Sequence, residues 1–444
     1  MAGWSRLHRE PQPGQGSPSR MGLVRCRKDV LLVGVGLFGL VLSGLGLGLV
    51  QASASPMATR QNNTSASPPG LGGLGPAAAS ALLPAGGWDV VALRPVGAAG
   101  AWAWLSQASN GGMPASYAEE VALTKDGGRS WSGRTPAGLS KGTAKRSIDQ
   151  IEAIGTDDAW VSYGPLGSGS PETLLATTDG GRHWASMGRL PSPYCSLQML
   201  TAAIGWCVAS AAAMGSEPVM IYRTVDSGRH WSVESRSPSG PASWGPSTPG
   251  ALPYGCDKDV GFSAPSSGWA SLVCALSGHL PPIYGSNDAG RTWAERRVEP
   301  LPAAYRLAPD GNAAWTSAPV LDGAVGAVGL SVEGTHNRAL VYRSTDAGAI
   351  WWPVAPPGTP QNWSVDLVTA STWKLTAGRA VLTTTDAGRT WSPATSGIDF
   401  GDQGSAQYVS AEDGWYTPVD ETVLYRTSDG GKAWEQLSLP AFPG

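Results

Sequence analysis

The chain has 444 residues, including 60 Gly, 36 Pro and 20 Trp, and only 15% of its residues are charged. This composition argues against a mainly helical protein, because Gly and Pro destabilise helix interiors. It favours many short strands joined by turns. The net charge is −3 overall and −7 after residue 50. Such an acidic chain is a poor candidate for binding nucleic acid, since phosphate groups need a basic surface.

The N-terminus resembles a membrane anchor. Residues 1–28 form a basic tail with six Lys or Arg side chains and one acid, and the 21 residues Val30–Val50 carry no charge. A helix of that length spans a bilayer core of about 30 Å. The basic flank predicts that the tail stays in the cytoplasm. We therefore expect residues 29–51 to form a single transmembrane helix, which places the rest of the chain outside the cytoplasm.

A cleaved signal peptide is the alternative, with Ala52-Ser53-Ala54 as a small-x-small cleavage sequence, and the protein would then be secreted. We favour an uncleaved anchor in the cell membrane because the apolar stretch exceeds the usual signal-peptide core of about 7–15 residues. Residues 52–86, rich in Ser, Ala, Pro and Gly, predict a flexible linker. Whether the N-terminal segment is cleaved stays open at this point.

One octapeptide of the form [ST]-x-D-x-G-x-x-W recurs seven times. Its Asp residues are Asp126, Asp179, Asp226, Asp288, Asp346, Asp386 and Asp429. Its Trp residues are Trp131, Trp184, Trp231, Trp293, Trp351, Trp391 and Trp434. We expect the Asp to accept hydrogen bonds from turn amides and the Gly to adopt a positive φ. The Trp should open the next strand in equivalent buried positions.

A second Trp marks each repeat and is expected in the second strand of each unit. These residues are Trp104, Trp160, Trp206, Trp269, Trp315, Trp373 and Trp415. With the apolar runs around them, each unit reads as four antiparallel strands, which is one propeller blade. The sequence therefore predicts an all-β fold in which residues 87–444 form a seven-bladed β-propeller. A single N-terminal transmembrane helix and a flexible linker precede it.

The octapeptide resembles the bacterial neuraminidase repeat, or Asp box, of sialidases, sortilin-type receptors and some glycanases. Together with the Gly-Trp strands, as at Gly205-Trp206, it looks most like the photosystem II assembly and stability factor propellers. The resemblance covers about residues 87–440 and implies the propeller fold. It implies little about activity, because the box serves the turn in unrelated proteins. Box five departs from the pattern, with Ala349 and Ile350 in place of the common Arg and polar residue.

Sialidases use an arginine triad and usually carry an Arg-Ile-Pro sequence, which this chain lacks; Arg189-Leu190-Pro191 has the wrong middle residue. Arg223, Arg343 and Arg426 share one position in the third strands of different units. They could form an anion-binding ring, or they could cover apolar surface with their stems. We favour the second interpretation.

Other chemistry finds little support in the sequence. A box Asp with turn carbonyls offers fewer than the roughly 6–8 oxygens that calcium takes, and the histidines lack metal-ligand spacing. No nucleophile elbow or phosphate-binding loop is present. We therefore expect no catalytic residue, no metal and no cofactor.

The favoured function is an extracytoplasmic, membrane-anchored scaffold that binds protein partners of the membrane or cell envelope. The alternative is a glycan-binding or glycan-hydrolysing, sialidase-like propeller. The binding residues stay unknown, and the long loops at 238–254 and 320–338 are the expected places for partner contacts.

Four of the five cysteines follow the membrane segment, where oxidation is permitted. Cys256 and Cys274 lie almost opposite each other across a predicted hairpin and are expected to be bonded. Cys195 and Cys207 form the second expected disulfide, although they lie about three positions out of register. Cys26 should remain a cytoplasmic thiol.

Overall fold

The computed structural model describes residues 88–439 with short gaps, at 108–115, 138, 140, 144–146, 165–169, 194, 212–216, 242–244, 274–278, 306, 308–312, 333–337, 359–363, 401–404 and 419–422. The predicted basic tail, transmembrane segment and linker lie outside the described residues. We call each set of strands around one Asp box a strand group, and number the groups in chain order.

Group 1 contains β1 (Trp88–Pro95), β2 (Ala101–Gln107), β3 (Ser116–Thr124), β4 (Ser132–Gly133) and the additional β5 (Lys141–Thr143). Group 2 contains β6 (Ser147–Ala153), β7 (Ala159–Gly164), β8 (Thr173–Thr177) and β9 (Ala185–Arg189). Group 3 contains β10 (Cys195–Met199), β11 (Gly205–Ser210), β12 (Val219–Thr224) and β13 (Ser232–Arg236). Group 4 contains β14 (Asp257–Phe262), β15 (Gly268–Val273), β16 (Ile283–Ser286) and β17 (Ala294–Val298).

A 3-10 helix, Ala303–Tyr305, precedes group 5, which contains β18 (Ala313–Trp315), β19 (Val320–Asp322), β20 (Val325–Val332), β21 (Arg338–Ser344) and β22 (Ile350–Val354). Group 6 contains β23 (Ser364–Leu367), β24 (Trp373–Ala377), β25 (Ala380–Thr384) and β26 (Ser392–Thr395). Group 7 contains β27 (Ser405–Tyr408), β28 (Gly414–Thr417), β29 (Leu424–Thr427) and β30 (Glu435–Leu437). The predicted all-β class is confirmed.

Within a group, consecutive strands pair antiparallel, and each box forms the turn between the third and fourth strands. Groups 4 and 5 differ from the others because their outer strands also pair with each other. Arg297 of β17 lies beside Ile350 of β22 in a parallel ladder, which joins both groups into one nine-stranded sheet. The two residues by which box five departs from the pattern, Ala349 and Ile350, both lie at this ladder, because β22 begins inside the box at Ile350.

Group 5 also corrects two expectations. Residues 320–338 are not a loop between units, because they contain the whole of β19 and β20, and β21 begins at Arg338. Trp315 lies in the first strand rather than the second. Close packing excludes a large side chain from β20: a Cβ added to Gly326 would lie 2.8 Å from Trp351, and one added to Gly329 would lie 2.3 Å from Thr316.

Hydrophobic clusters lie between consecutive groups. One cluster joins Trp206 and Ile221 of group 3 to Phe262 and Leu272 of group 4, and others link the remaining neighbours in the same way. A further cluster joins Trp415, Leu424 and Leu437 of group 7 to Val90 and Leu105 of group 1. The packing therefore runs in a closed cycle from the first group to the last and back.

Candidate functional site

Every Asp box folds into the same hydrogen-bonded turn. The Ser or Thr hydroxyl at its first position donates to Asp Oδ1 over 2.7–2.9 Å. The same hydroxyl accepts the N–H of the box Gly over 2.9–3.0 Å. Asp Oδ1 also accepts the N–H four residues later over 2.9–3.0 Å. All seven box glycines have φ between 74° and 95°.

These contacts determine what the box aspartates can do. Hydrogen bonds from the hydroxyl and N–H of Ser130 lower the pKa of Asp126 to about 2. Those from the N–H and ring of His230 lower the pKa of Asp226 to about 2. The pKa of the other five box aspartates is lowered as well. The box carboxylates are thus ionised and committed to their own turns.

The box hydroxyl offers a test of this turn chemistry. Replacing Thr177, which is buried, with Val should lower the free energy of unfolding by about 1–3 kcal/mol, because the N–H of Gly181 loses its acceptor. Replacing the adjacent exposed Thr178 with Val should change it by less than about 0.5 kcal/mol. Urea denaturation followed by Trp fluorescence measures both. Equal losses for the two variants would contradict the assigned role of the box hydroxyl.

The box tryptophans occupy equivalent positions at the start of, or just before, the fourth strands, and they differ in how far they are buried. Trp351 and Trp293 are buried, whereas the other five are only partly buried. Three of the rings meet a tryptophan of a neighbouring group edge-on: Trp131 meets Trp415 at 6.5 Å between centroids, and Trp184 and Trp351 meet Trp102 and Trp269 in the same way. The burial expected of the box tryptophans is therefore found at Trp293 and Trp351 and is partial at the other five.

Five further tryptophans are fully buried and lie at the second residue of the second strand of their groups. Trp160 and Trp206 are examples, and each donates its indole N–H to the carbonyl that follows the box Asp of the next group, Ser227 O at 3.2 Å and Ala289 O at 3.1 Å. Trp269 and Trp415 occupy the equivalent position in β15 and β28. In group 1 the residue is Trp102 rather than the expected Trp104.

Group 6 has a lysine at this place, because β24 begins at Trp373 and its second residue is Lys374. Lys374 Nζ donates to Gly430 O at 3.0 Å, the carbonyl that follows the box Asp of group 7. The ammonium lies 4.7 Å from the ring centroid of Tyr408, the last residue of β27. Burial lowers the pKa of Lys374 to about 8, against opposing effects of Glu412 and Asp366.

This lysine repeats the packing of an aromatic residue. In group 3, Trp206 stacks on Phe262, the last residue of β14, with centroids 4.0 Å apart. A cation over a ring replaces that aromatic stack between groups 6 and 7. The sequence pattern does not reveal this role of Lys374, because it points to Trp373, which lies one position earlier.

The lowered pKa predicts a pH dependence. The unfolded chain binds more protons than the folded chain between about pH 8 and the ordinary lysine value of 10.5, so the contribution of Lys374 makes the free energy of unfolding rise with pH over that window. Lys374→Met removes this contribution. The difference in unfolding free energy, wild type minus variant, should therefore grow by about 1–2 kcal/mol between pH 7.5 and 9.5. Urea denaturation at several pH values measures it, and a constant difference would contradict the prediction.

The three repeat-phase arginines are not gathered into one anion site. The guanidinium of Arg223 lies 5.8 Å from the ring centroid of Trp206, and that of Arg426 lies 6.0 Å from Trp415. Arg343 Nη1 donates to Ala387 O of the next group at 3.0 Å. Each arginine therefore packs within or between its own pair of groups, in agreement with the structural interpretation.

Polar side chains of the first strands bind the open edge of the neighbouring first strand. The amide of Gln150 donates to Cys195 O at 2.7 Å and accepts from Leu197 N at 3.0 Å. Gln198 makes the same pair of bonds to the N–H and C=O of Phe262, at 3.0 and 3.1 Å. These bonds satisfy backbone groups that an edge strand leaves unpaired. The sequence did not reveal this role of either glutamine, although each interrupts an apolar run in a first strand.

Two buried acids have raised pKa values. Burial raises the pKa of Glu152 to about 7, although the guanidinium of Arg94 lies 3.9 Å away. Burial, together with the nearby Asp149 carboxyl, raises the pKa of Glu172 to about 8. Ser162 Oγ donates to Glu172 Oε2 at 2.8 Å. Glu172 and Asp149 therefore hold a proton between them at neutral pH.

Within the described residues, no group of three or more His, Cys, Asp or Glu side chains is placed to hold a metal ion. The same residues include no helix with the length and apolar character of a membrane span.

One disulfide links the first two strands of group 3. Cys195 and Cys207 are bonded, with Cα atoms 5.4 Å apart. The ladder places Leu197 opposite Cys207, so Cys195 is two positions away from direct pairing with Cys207. The disulfide therefore crosses the hairpin diagonally. Cys256 is also disulfide-bonded, next to the pair Asp257 and Val273. Its expected partner Cys274 and the predicted thiol Cys26 lie outside the described residues.

Clefts lie between consecutive boxes on one side of the strand groups. The cleft between boxes two and three has a volume of about 280 Å³, with Trp160, Trp184 and Met187 as apolar lining and Asp179 and His183 as polar lining. The cleft between boxes one and two has a volume of about 240 Å³ and a more polar lining. Repeat geometry therefore produces surface clefts whose character differs from box to box.

Comparison with known families identifies the fold. Residues 106–245 match the model of the photosynthesis system II assembly factor YCF48 family. Among solved structures, the chain also matches YCF48 bound to D1 peptide, with 14% identity and a TM-score of 0.43. The match covers 78% of this chain and 91% of that chain. The chain contains a BNR-like β-propeller that resembles YCF48.

Two enzymes of known structure match as well. One of two prolyl endopeptidases matches at 11% identity over 79% of this chain and 49% of that chain, with a TM-score of 0.51. An ulvan lyase of polysaccharide lyase family PL25 matches at 10% identity over 80% and 97%, with a TM-score of 0.48. At 11% identity the likeness to the prolyl endopeptidase shows the fold alone. No curated protein matches the sequence.

Proposed function

We propose that residues 87–444 form a seven-bladed propeller and that the protein acts as a protein-binding or assembly scaffold. Seven strand groups, each around one Asp box, and a closed cycle of packing support the blade count. Closure of the cycle leaves only short strand edges exposed. The faces of the domain then present turns and loops from several groups, which is where partners bind to folds of this kind.

The observation that carries the proposal is the match of residues 106–245 to the family of an assembly factor. The geometry of the same segment agrees with it. Its box residues Asp126, Asp179 and Asp226 are committed to turns, and Gln150 bonds the backbone of the next group. The repeated polar residues there maintain the scaffold, which leaves recognition to the exposed surface.

We further propose that residues 29–51 anchor the chain in the cell membrane and that the propeller lies outside the cytoplasm. The bond between Cys195 and Cys207 supports this location, because disulfides persist in oxidising compartments and are rare in the cytosol. The partner would then be a protein of the membrane or envelope, within reach of a linker of residues 52–86.

The test of the scaffold is purification of the full-length tagged chain from its native membranes after mild cross-linking. We expect a membrane or envelope protein in near-stoichiometric amount, and the reciprocal purification from the tagged partner should return this chain. Recovery of the chain without any stoichiometric protein, in both directions, would contradict the scaffold.

A glycan-active propeller is the second candidate, and the raised pKa of Glu172 beside Asp149 is the observation that favours it. We propose that the protein is not an enzyme. The purified chain should not turn over sialosides or β-glucans. Turnover that is abolished by Glu172→Gln and retained by Glu435→Gln, an exposed carboxylate, would replace the scaffold with a hydrolase.

A further inference from the structure

One junction between strand groups differs from all the others in how the chain runs. Consecutive groups are connected by the polypeptide, and groups 4 and 5 also share a backbone ladder. Groups 7 and 1 come from opposite ends of the described chain. Their strands β27–β30 and β1–β4 belong to separate sheets, so within the described residues side chains and single hydrogen bonds alone hold this junction together.

The apolar part of the junction is tightly packed. Leu437 and Trp415 lie against Gly128, where an added Cβ would come within 2.4 Å and 3.1 Å of them. The indole N–H of Trp415 is buried and has no hydrogen-bond partner. Its counterparts Trp160 and Trp206 each donate to the next group. The junction of groups 7 and 1, like that of groups 4 and 5, thus lacks the indole hydrogen bond that crosses between groups 1 and 2, groups 2 and 3, and groups 3 and 4.

Arg426 supplies the polar link. Its Nε donates to Ala98 O of group 1 at 3.0 Å, and its Nη2 lies 3.3 Å from Asp413 Oδ1 within group 7. Its guanidinium also fills the space beside Gly127, where an added Cβ would lie 3.0 Å from Cζ. The ion pair of Arg129 and Glu435, 3.8 Å apart, is more than half exposed and adds little.

We infer that the junction of groups 7 and 1 is the place where the propeller opens, and that Arg426 holds it closed. Within the described residues, separation there breaks no backbone ladder and stretches no connecting chain. Separation of any other two neighbouring groups stretches the chain that connects them, and separation of groups 4 and 5 also breaks a ladder. The free energy of local opening is therefore lowest at this junction. Opening would uncover the faces of both terminal groups while groups 3 and 4 stay packed.

Hydrogen exchange of the full chain, measured by mass spectrometry, tests this inference. The amides of the second strands are compared because they are paired on both sides within their own sheet. They exchange only when a group that has lost its neighbour at the opened junction unfolds locally, and they do not report fraying of the chain ends. In the wild type, β2 and β28 should exchange at least tenfold faster than β11 and β15. Arg426→Gln should accelerate exchange in groups 1 and 7 by a further tenfold or more, with groups 3 and 4 unchanged.

Arg223→Gln is the matched control. Arg223 pairs with Trp206 in the same register as Arg426 pairs with Trp415, and it packs over the ring in the same way. Its junction is crossed by the chain, so the variant should not accelerate exchange in groups 1 and 7. Equal protection of β2, β28, β11 and β15 in the wild type would overturn the inference, even if Arg426→Gln did not fold. So would an equal effect of both arginine variants.

Discussion

Trp206→Ala should lower the free energy of unfolding by about 3–5 kcal/mol, the usual cost of deleting a large buried aromatic side chain. Trp206 is fully buried and stacks on Phe262 with an angle of 3° between the rings. Its indole N–H bonds Ala289 O of the next group. The variant therefore loses packing and a hydrogen bond at the junction of groups 3 and 4, and urea denaturation should show a large fall in the midpoint.

Trp352→Ala is the control for this prediction. Trp352 lies in the outer strand β22, and 51% of its surface is exposed. Its removal should change the free energy of unfolding by no more than about 1 kcal/mol, because little buried contact is lost. A cost similar to that of Trp206→Ala would show that the junction tryptophan is not the source of the stability.

Gly348→Ala should be the second severe substitution. Gly348 belongs to box five and has a φ of 79°, and an added Cβ would lie 2.0 Å from Trp269 Cη2. The backbone strain costs about 1–2 kcal/mol, and displacement of the buried ring adds about 1–3 kcal/mol. We expect a loss of about 3 kcal/mol or more in the free energy of unfolding, measured by urea denaturation.

Gly323→Ala separates the two contributions. Gly323 also has a positive φ, of 57°, but no atom lies within 4 Å of an added Cβ. This variant should pay the backbone strain alone, about 1–2 kcal/mol. If both glycine variants lost the same stability, close packing of the box against the preceding group would not be the reason that box five requires Gly.

These effects bear on function as well as on stability. The residues that recur in the sequence are the ones that hold the turns and the junctions, so their repetition reflects the fold and does not mark a catalytic site. Partner recognition should therefore depend on positions that differ between groups. The clefts between boxes illustrate this, because His183 and Trp184 line the cleft between boxes two and three, whereas Ser130 and Ser132 line the cleft between boxes one and two.

The sequence by itself determined the all-β class and the turn structure of each Asp box. Every hydrogen bond of the box turn joins residues no more than four positions apart, as between Thr177, Asp179 and Gly181. Such contacts depend on local residue types and can be recognised from eight residues. The resemblance to assembly-factor propellers followed from the same local pattern repeated seven times.

Only the tertiary structure decided how one group meets the next. Lys374 bonds Gly430, 56 residues away, and Gln150 bonds Cys195, 45 residues away. The parallel pairing of β17 with β22 and the first-strand position of Trp315 also depend on the neighbouring groups. Trp, Lys and Arg can each supply a donor to the next group, so residue type does not identify the contact. Its partner is brought near only when the groups pack, which is why local pattern predicts the turns and not the junctions.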